Sequence, residues 1–316
     1  MTRSEQVFEL LRSVGVALDD DDIADRLSMN RHYVNRICRN LAAEGVIERT
    51  EGRAGKFVNQ MTRLPTTANV PSVSAHPVTV QPQIRRVERA RRNVEALIDQ
   101  FSESVDAFEA NAAFPGPSLY FHERALACRR RHSSAASLLA DDQFLEYVYA
   151  VLPAWGMHRM GNQAAKVVEF DDMATSFRAA TEPIQELWTH QITEIGPDEA
   201  PVVAGKIWSI IASLKVSRSD TRIVAGSKAL HHVLPDLVPP IDRQYTFQFF
   251  TGQKSVPNGD ERAFLEWFPY LCEIGRRCRS NIETAIRSGG FMATGPAKII
   301  DNAIIGFMQR GSVPNA

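Results

Sequence analysis

From Leu119 to its end the chain repeats apolar residues at helical spacing and nowhere alternates them as a half-buried strand does. That pattern leaves one option for this part of the molecule, an all-α domain. Helical runs are predicted at 118–131, 134–139, 141–151, 160–165, 171–179, 183–191, 201–215, 219–234, 243–251, 260–288 and 297–309. No internal repeat or low-complexity tract interrupts them. With 316 residues the chain is long enough for a second domain beside this one.

That second domain is expected at residues 1–60. In SEQVFELLRSVG, Val7, Leu10, Leu11 and Val14 share a helical face between a Ser4 cap and a Gly15 stop. Asp22–Leu27 reads as a short helix whose acidic start suits the helix dipole. Arg31–Glu44 is a third helix, with Val34, Ile37 and Leu41 inward and Arg31, His32, Asn35, Arg36, Arg39 and Asn40 outward. Two short strands follow, VIERT and FVN, around the basic tip EGRAGK. Three helices and a two-stranded wing resemble the winged helix-turn-helix family over 57 residues, from 4 to 60. The resemblance implies double-stranded DNA as partner. Arg31, His32, Asn35, Arg36 and Arg39 would enter the major groove, and Arg53 and Lys56 would follow the backbone. The acids Asp19 to Asp22 are expected on the opposite side. A protein-binding winged helix fits the same pattern, because an Arg/Asn-rich outer face is also that of a merely solvated helix.

Residues 61–84 hold several prolines and little charge and read as an extended linker. A helix over Arg85–Phe108 opens the third segment, 85–316, and its five arginines read first as a solvated face. Net charge of −1 excludes a generally basic coat, so any nucleic-acid surface must come from charge asymmetry. The four cysteines, Cys38, Cys128, Cys272 and Cys278, form no CxxC pair and have no histidine at zinc spacing. They read as free thiols, with no metal and no cofactor expected. The opening MTRSEQVFELL is not a secretory signal, and no apolar run approaches the roughly 20 residues that span a bilayer. A cytoplasmic protein with no membrane partner is expected.

Several chemistries lack their motifs: there is no GxGxxG after a strand, no Walker lysine loop, no HExxH and no GxSxG. What remains needs only side chains. Ser227–Phe250, SKALHHVLPDLVPPIDRQYTFQFF, places Lys228 and the pair His231/His232 on a helix and then Asp242 on a proline-rich turn. Prolines fix φ on the approach to the acid and limit its motion. Asp242 also suits the N-cap of a helix at 243–251. The two histidines, about 100° apart round the helix, are not expected to face one site.

A helix pair, a lysine at the start of the second helix, and an acid after an apolar-proline turn resemble the helix-hairpin-helix DNA glycosylases over roughly residues 200–250. Pro240-Ile241-Asp242 stands where that superfamily has Pro-Val-Asp. The family's hairpin has two glycines, whereas only Gly226 is evident here, and the interval from Gly226 to Asp242 is short. The resemblance implies that Asp242 stabilises oxocarbenium charge or positions water during base excision. Lys228 would form a Schiff base or hold a phosphate.

A base excised from the stack needs a pocket. Candidate lining residues are Tyr120, His122 and Arg124 in YFHER, Trp155, Met157 and Arg159 in AWGMHR, then Arg243, Gln244 and Tyr245, and Lys298, Asp301 and Asn302 in the last helix. Trp155 also suits plain packing at a helix end, and Lys298 and Asp301 suit a local ion pair. Two functions stay open: a DNA glycosylase acting on a damaged or modified base, including modified phage DNA, and a transcription regulator whose α-domain binds a ligand or dimerises.

Overall fold

A computed structural model describes residues 3–27, 29–43, 45–51, 57–61, 80–111, 116–157, 166–219, 222–256 and 259–311. They form two compact units, 1–76 and 77–316. The described residues are mainly helical, with sixteen α-helices and one three-stranded sheet.

In the first unit three helices, α1 (Arg3–Val14), α2 (Asp20–Leu27) and α3 (Arg31–Ala43), pack over a small antiparallel sheet. The strands are β1 (Leu18–Asp19), β2 (Ile47–Glu51) and β3 (Phe57–Met61), in the order β1-β3-β2, with Arg49 and Leu18 both opposite Asn59. The short β1 was not expected. Val7, Leu11, Ile23, Val34, Ile37 and Leu41 are buried together, as their helical spacing implies.

One polar network sits in this small core. Arg49 donates two hydrogen bonds to the Asp20 carboxylate, at 2.7 and 2.9 Å, and a third to Asn59 Oδ1 at 2.7 Å. Asn59 Nδ2 and Asn35 Nδ2 complete the carboxylate's partners at 2.9 and 2.7 Å. Burial alone would raise the Asp20 carboxyl, yet these bonds hold it below its usual value.

The second unit begins at α4 (Val80–Asp99), five residues before the sequence suggested, and the chain turns at Gln100 into α5 (Phe101–Asn111). α6 (Pro117–Arg129), α7 (Ala135–Leu139) and α8 (Asp142–Leu152) follow, then a wide turn, Pro153–Met157, in which Gly156 takes φ 86°. Beyond α9 (Phe170–Ala179) and α10 (Thr181–Glu186) lie α11 (Ala200–Ser213), α12 (Arg222–Val233) and the short α13 (Thr246–Thr251). The run predicted at 260–288 divides at Cys278 into α14 (Asp260–Arg277) and α15 (Arg279–Ser288), and α16 (Pro296–Gly311) closes the unit. The helix predicted at 160–165 lies outside the described residues, as do residues 62–79 of the linker expected at 61–84, whose ends belong to β3 and α4.

Phe144, Phe177, Phe247, Phe264 and Phe268 are all but fully buried in one continuous core. Each contributes about 1.5–3 kcal/mol by leaving water. Two close approaches fix how the helices cross. α16 packs most closely on α5, and a Cβ at Gly306 would stand 1.8 Å from the Ser104 carbonyl oxygen. α12 meets α11 where a Cβ at Gly226 would stand 2.6 Å from Ile211 Cγ2. Among the described residues no helix is long and apolar enough to cross a membrane.

Candidate functional site

The structure brings the two ends of the SKALHHVLPDLVPPID stretch together. α12 carries Lys228, and the chain after Val233 returns along that helix before reaching Asp242. Two α12 side chains hold the returning loop. His231 Nδ1 donates to the Val238 carbonyl at 2.8 Å, and Ser227 Oγ accepts the Ile241 N–H at 3.0 Å. Ile241 is buried, and Asp242 emerges partly exposed at the loop's end. Asp242 Oδ1 accepts the Tyr245 N–H at 2.7 Å and its carbonyl accepts the Phe247 N–H at 3.1 Å, so the residue caps a turn before α13. That turn explains why the helix starts at Thr246 and not at 243.

Lys228 Nζ donates to the Trp155 carbonyl at 2.9 Å. Burial lowers its pKa, the charges of Asp242 and Asp301 oppose that shift, and Lys166 and Lys298 add to it. Trp155 is itself fixed: its Nε1–H donates to the Ser118 carbonyl at 3.2 Å, and Ser118 Oγ donates to the Ala154 carbonyl at 3.1 Å.

α16 supplies a buried charged group beside this lysine. Lys298 Nζ donates to Asp301 Oδ2 at 2.7 Å and to Asn302 Oδ1, and Asn302 Nδ2 donates to the Met292 carbonyl at 3.2 Å. The ammonium also lies 5.3 Å from the Phe108 ring centroid and 6.0 Å from that of Trp155. Burial raises the Asp301 carboxyl, against the pull of Lys298, and the charge of Asp242 raises it further. Asp242, Lys228, Asp301 and Lys298 thus act as one electrostatic group.

Three histidines form the floor. His122, His231 and His232 are fully buried. His122 stacks over His231 at 5.8 Å and meets His232 edge-on at 5.1 Å. The pair on α12 was not expected to share a site. It does, because residues 100° apart bracket a ring inserted between them from α6. Their tautomers follow from their partners. A carbonyl only accepts, so His232 Nδ1 carries the proton it gives Lys228 O at 2.9 Å. His232 Nε2 then accepts from His122 Nδ1 at 3.1 Å, and His122 Nε2 accepts the Thr294 hydroxyl at 2.9 Å. Burial is the first cause that lowers all three, His232 to about 4 and the other two well below the ordinary value, so all are neutral at pH 7. The neutral chain anchors the turn of α12 that bears Lys228.

The candidate pocket residues divide accordingly. His122, Trp155, Lys298, Asp301 and Asn302 belong to the group around Lys228 and Asp242. Tyr245 reaches it through its backbone and packs with Phe108 and Met292. Tyr120 and Arg124 do not belong: they lie on the outer face of α6, with Tyr120 54% exposed and Arg124 over the Tyr120 and Tyr147 rings. His122, two residues on from Tyr120, is on the opposite face of the helix. Met157 is buried in the apolar core and offers nothing to a ligand. Arg243 and Gln244 are exposed, and Arg159 lies outside the described residues. Ser227 and Thr294 were missed, since a lone hydroxyl carries no sequence signal of its partner.

In the first unit, α3 exposes Arg31, Arg36 and Arg39. Asn35 is not a reading residue, because Asp20 takes its amide. The acids do not lie opposite this helix either: Asp20 meets Asn35, and Asp21 pairs with Arg31 at 2.8 Å. Arg36 lies over Tyr33 at 4.8 Å. Arg53, Lys56 and the side chain of His32 lie outside the described residues. All four cysteines are free thiols, as their spacing implied, and Cys128 has both His132 and Asp141 within reach. Compared with known proteins, the chain matches no family model, no curated protein and no solved structure.

Proposed function

We propose that the chain is a DNA glycosylase that excises a damaged or modified base, bulky phage-type modifications included. Residues 1–60 would serve as a winged helix-turn-helix module and α11–α12 as a divergent helix-hairpin-helix. The carrying observation is that Ser227 and His231 of α12 hold the proline loop back along the helix, so that Asp242 returns to the end that bears Lys228. Two further features support it. The order helix, turn, helix, proline loop, acid is that of the superfamily resembled. A groove of about 330 Å3 at the α11–α12 turn is lined by Lys215, Arg218, Arg222 and three serine hydroxyls, which suits a phosphate backbone.

In this reading cleavage of the C1′–N bond leaves positive charge on the deoxyribose, and the Asp242 carboxylate stabilises it. The base departs with the bonding pair and takes a proton. Either water or the Lys228 amine then adds at C1′. The lowered pKa of Lys228 favours the amine, since only the unprotonated form is a nucleophile. Amine addition gives a Schiff base that borohydride reduces to a stable crosslink.

The test is a panel of duplexes bearing oxidised, deaminated, alkylated or glycosylated bases, treated with alkali after incubation and scored for strand breaks. Breaks that vanish with Asp242→Asn while DNA binding persists support the proposal, because Asn keeps the Oδ1 that accepts the Tyr245 N–H. The loss should be at least about 100-fold. Breaks that survive Asp242→Asn sink it. A regulator would instead bind one sequence and leave no abasic sites.

A further inference from the structure

We propose that Cys128, His132 and Asp141 form a binding site for one divalent transition-metal ion of the zinc type. The site lies away from Lys228 and Asp242 and does not depend on the glycosylase proposal. Cys128 is in the last turn of α6, and His132 follows in the turn that closes the helix, where its N–H donates to the Arg129 carbonyl at 3.2 Å. Asp141 arrives from the far side of α7, at the N-cap of α8. Its Oδ1 accepts the Gln143 N–H at 3.0 Å, which aims Oδ2 at the other two. Cys128 Sγ and His132 Nε2 stand 3.2 and 3.1 Å from that oxygen, and all three donor atoms lie within 4.8 Å of one another.

Metal bonds of the usual zinc length set tetrahedral donor atoms roughly 3.3–3.7 Å apart. The two distances to Asp141 Oδ2 therefore need to lengthen by only a few tenths of an ångström around an ion, while the sulfur and the ring nitrogen already lie within 4.8 Å of each other. The donor set, one thiolate, one imidazole and one carboxylate, suits zinc better than magnesium or calcium, which take oxygen alone. Three protein ligands leave a fourth position for water. Access exists, since the His132 and Asp141 side chains are 20% and 25% exposed. Arg131 Nη2 now donates to Cys128 Sγ at 3.1 Å and must swing away, which its exposed position allows. On binding, the Cys128 thiol proton passes to solvent and the sulfur–metal bond replaces it. The ion would staple the end of α6 to the start of α8. These two helices carry His122 and lead into the Trp155 turn, so the staple steadies the site's floor.

Cobalt(II) added to the chelator-treated full chain tests this. The expected result is a thiolate-to-cobalt charge-transfer band that saturates at one ion per chain and is displaced by zinc. Cys128→Ser should abolish the band and Cys272→Ser should leave it unchanged. His132→Ala keeps the buried sulfur and so guards against a folding failure. It should weaken binding by more than the roughly 10–100-fold that follows loss of an outer-shell partner. No saturable band in the wild-type chain, or a band that Cys128→Ser or His132→Ala leaves at full strength, overturns the proposal.

Discussion

Ser227 Oγ accepts the Ile241 amide at 3.0 Å, and each partner is the immediate neighbour of a charged residue, Lys228 on one side and Asp242 on the other. This hydrogen bond, together with that from His231 to the Val238 carbonyl, thus sets the spacing of the two charges. Ser227→Ala leaves the Ile241 N–H buried without an acceptor, which costs about 1–3 kcal/mol. Denaturant unfolding should report that loss. If base excision is the activity, the same variant should lower its rate more than it weakens DNA binding.

Stability of the helical unit should fall as the solution is acidified from pH 7 towards 4. His232 is held at about 4 when folded, against about 6.5 in the unfolded chain, so between those values the unfolded state binds the extra proton. Stability therefore decreases as pH falls through this window, by on the order of 3 kcal/mol for His232 alone. His122 and His231 act in the same sense. Asp301 opposes them, because burial raises its folded value. Unfolding midpoints measured across the window should decline, and His232→Asn should flatten the decline. A curve independent of pH would contradict the neutral chain of histidines.

Two glycines in helices should respond oppositely to alanine. At Gly306 the new Cβ would collide with the Ser104 carbonyl, 1.8 Å away, where α16 crosses α5. Backbone cannot yield as a flexible side chain does, so the cost should exceed the roughly 1–3 kcal/mol usual for overpacking. At Gly205, inside α11, nothing lies within 4 Å of the new atom. Gly205→Ala should therefore stabilise, by up to about 1 kcal/mol of helix propensity. Thermal unfolding of the two variants separates the signs.

In the first unit, Asp20→Ala should cost about 3–5 kcal/mol, because it strands the Arg49 guanidinium in the core. Fluorescence or exchange signals from residues 1–60 should show that unit unfolding first. The wild-type carboxyl, depressed by its partners, contributes stability above the unfolded value near ~3.9 and loses it as pH falls through the folded one. Replacing both Asp20 and Arg49 with apolar residues should recover much of the loss.

Periodicity alone made the helices legible. Helical spacing marked α3, α8, α11 and α16 within three residues at either end, because each buries one apolar stripe. It missed the breaks at Gln100 and Cys278, where apolar spacing continues across the bend and only packing against other helices shows the turn. Lys228 and Asp242 stood out in the sequence too, since a lysine and an acid on a proline turn are unusual in themselves. Its floor was not. His122 lies 110 residues from His232 and 172 from Thr294, and no local pattern joins them. Adjacent histidines on a helix point apart, and only a third ring from another helix makes them one group. The same holds for Cys128, His132 and Asp141, gathered by the path of α7. By itself the sequence determined which segments are helical, where the charge on the Lys228–Asp242 stretch lies, and how α3 turns its apolar face inward. The tertiary structure alone decided which polar groups share a low-dielectric interior, because burial and pairing depend on residues distant in the chain and close in space.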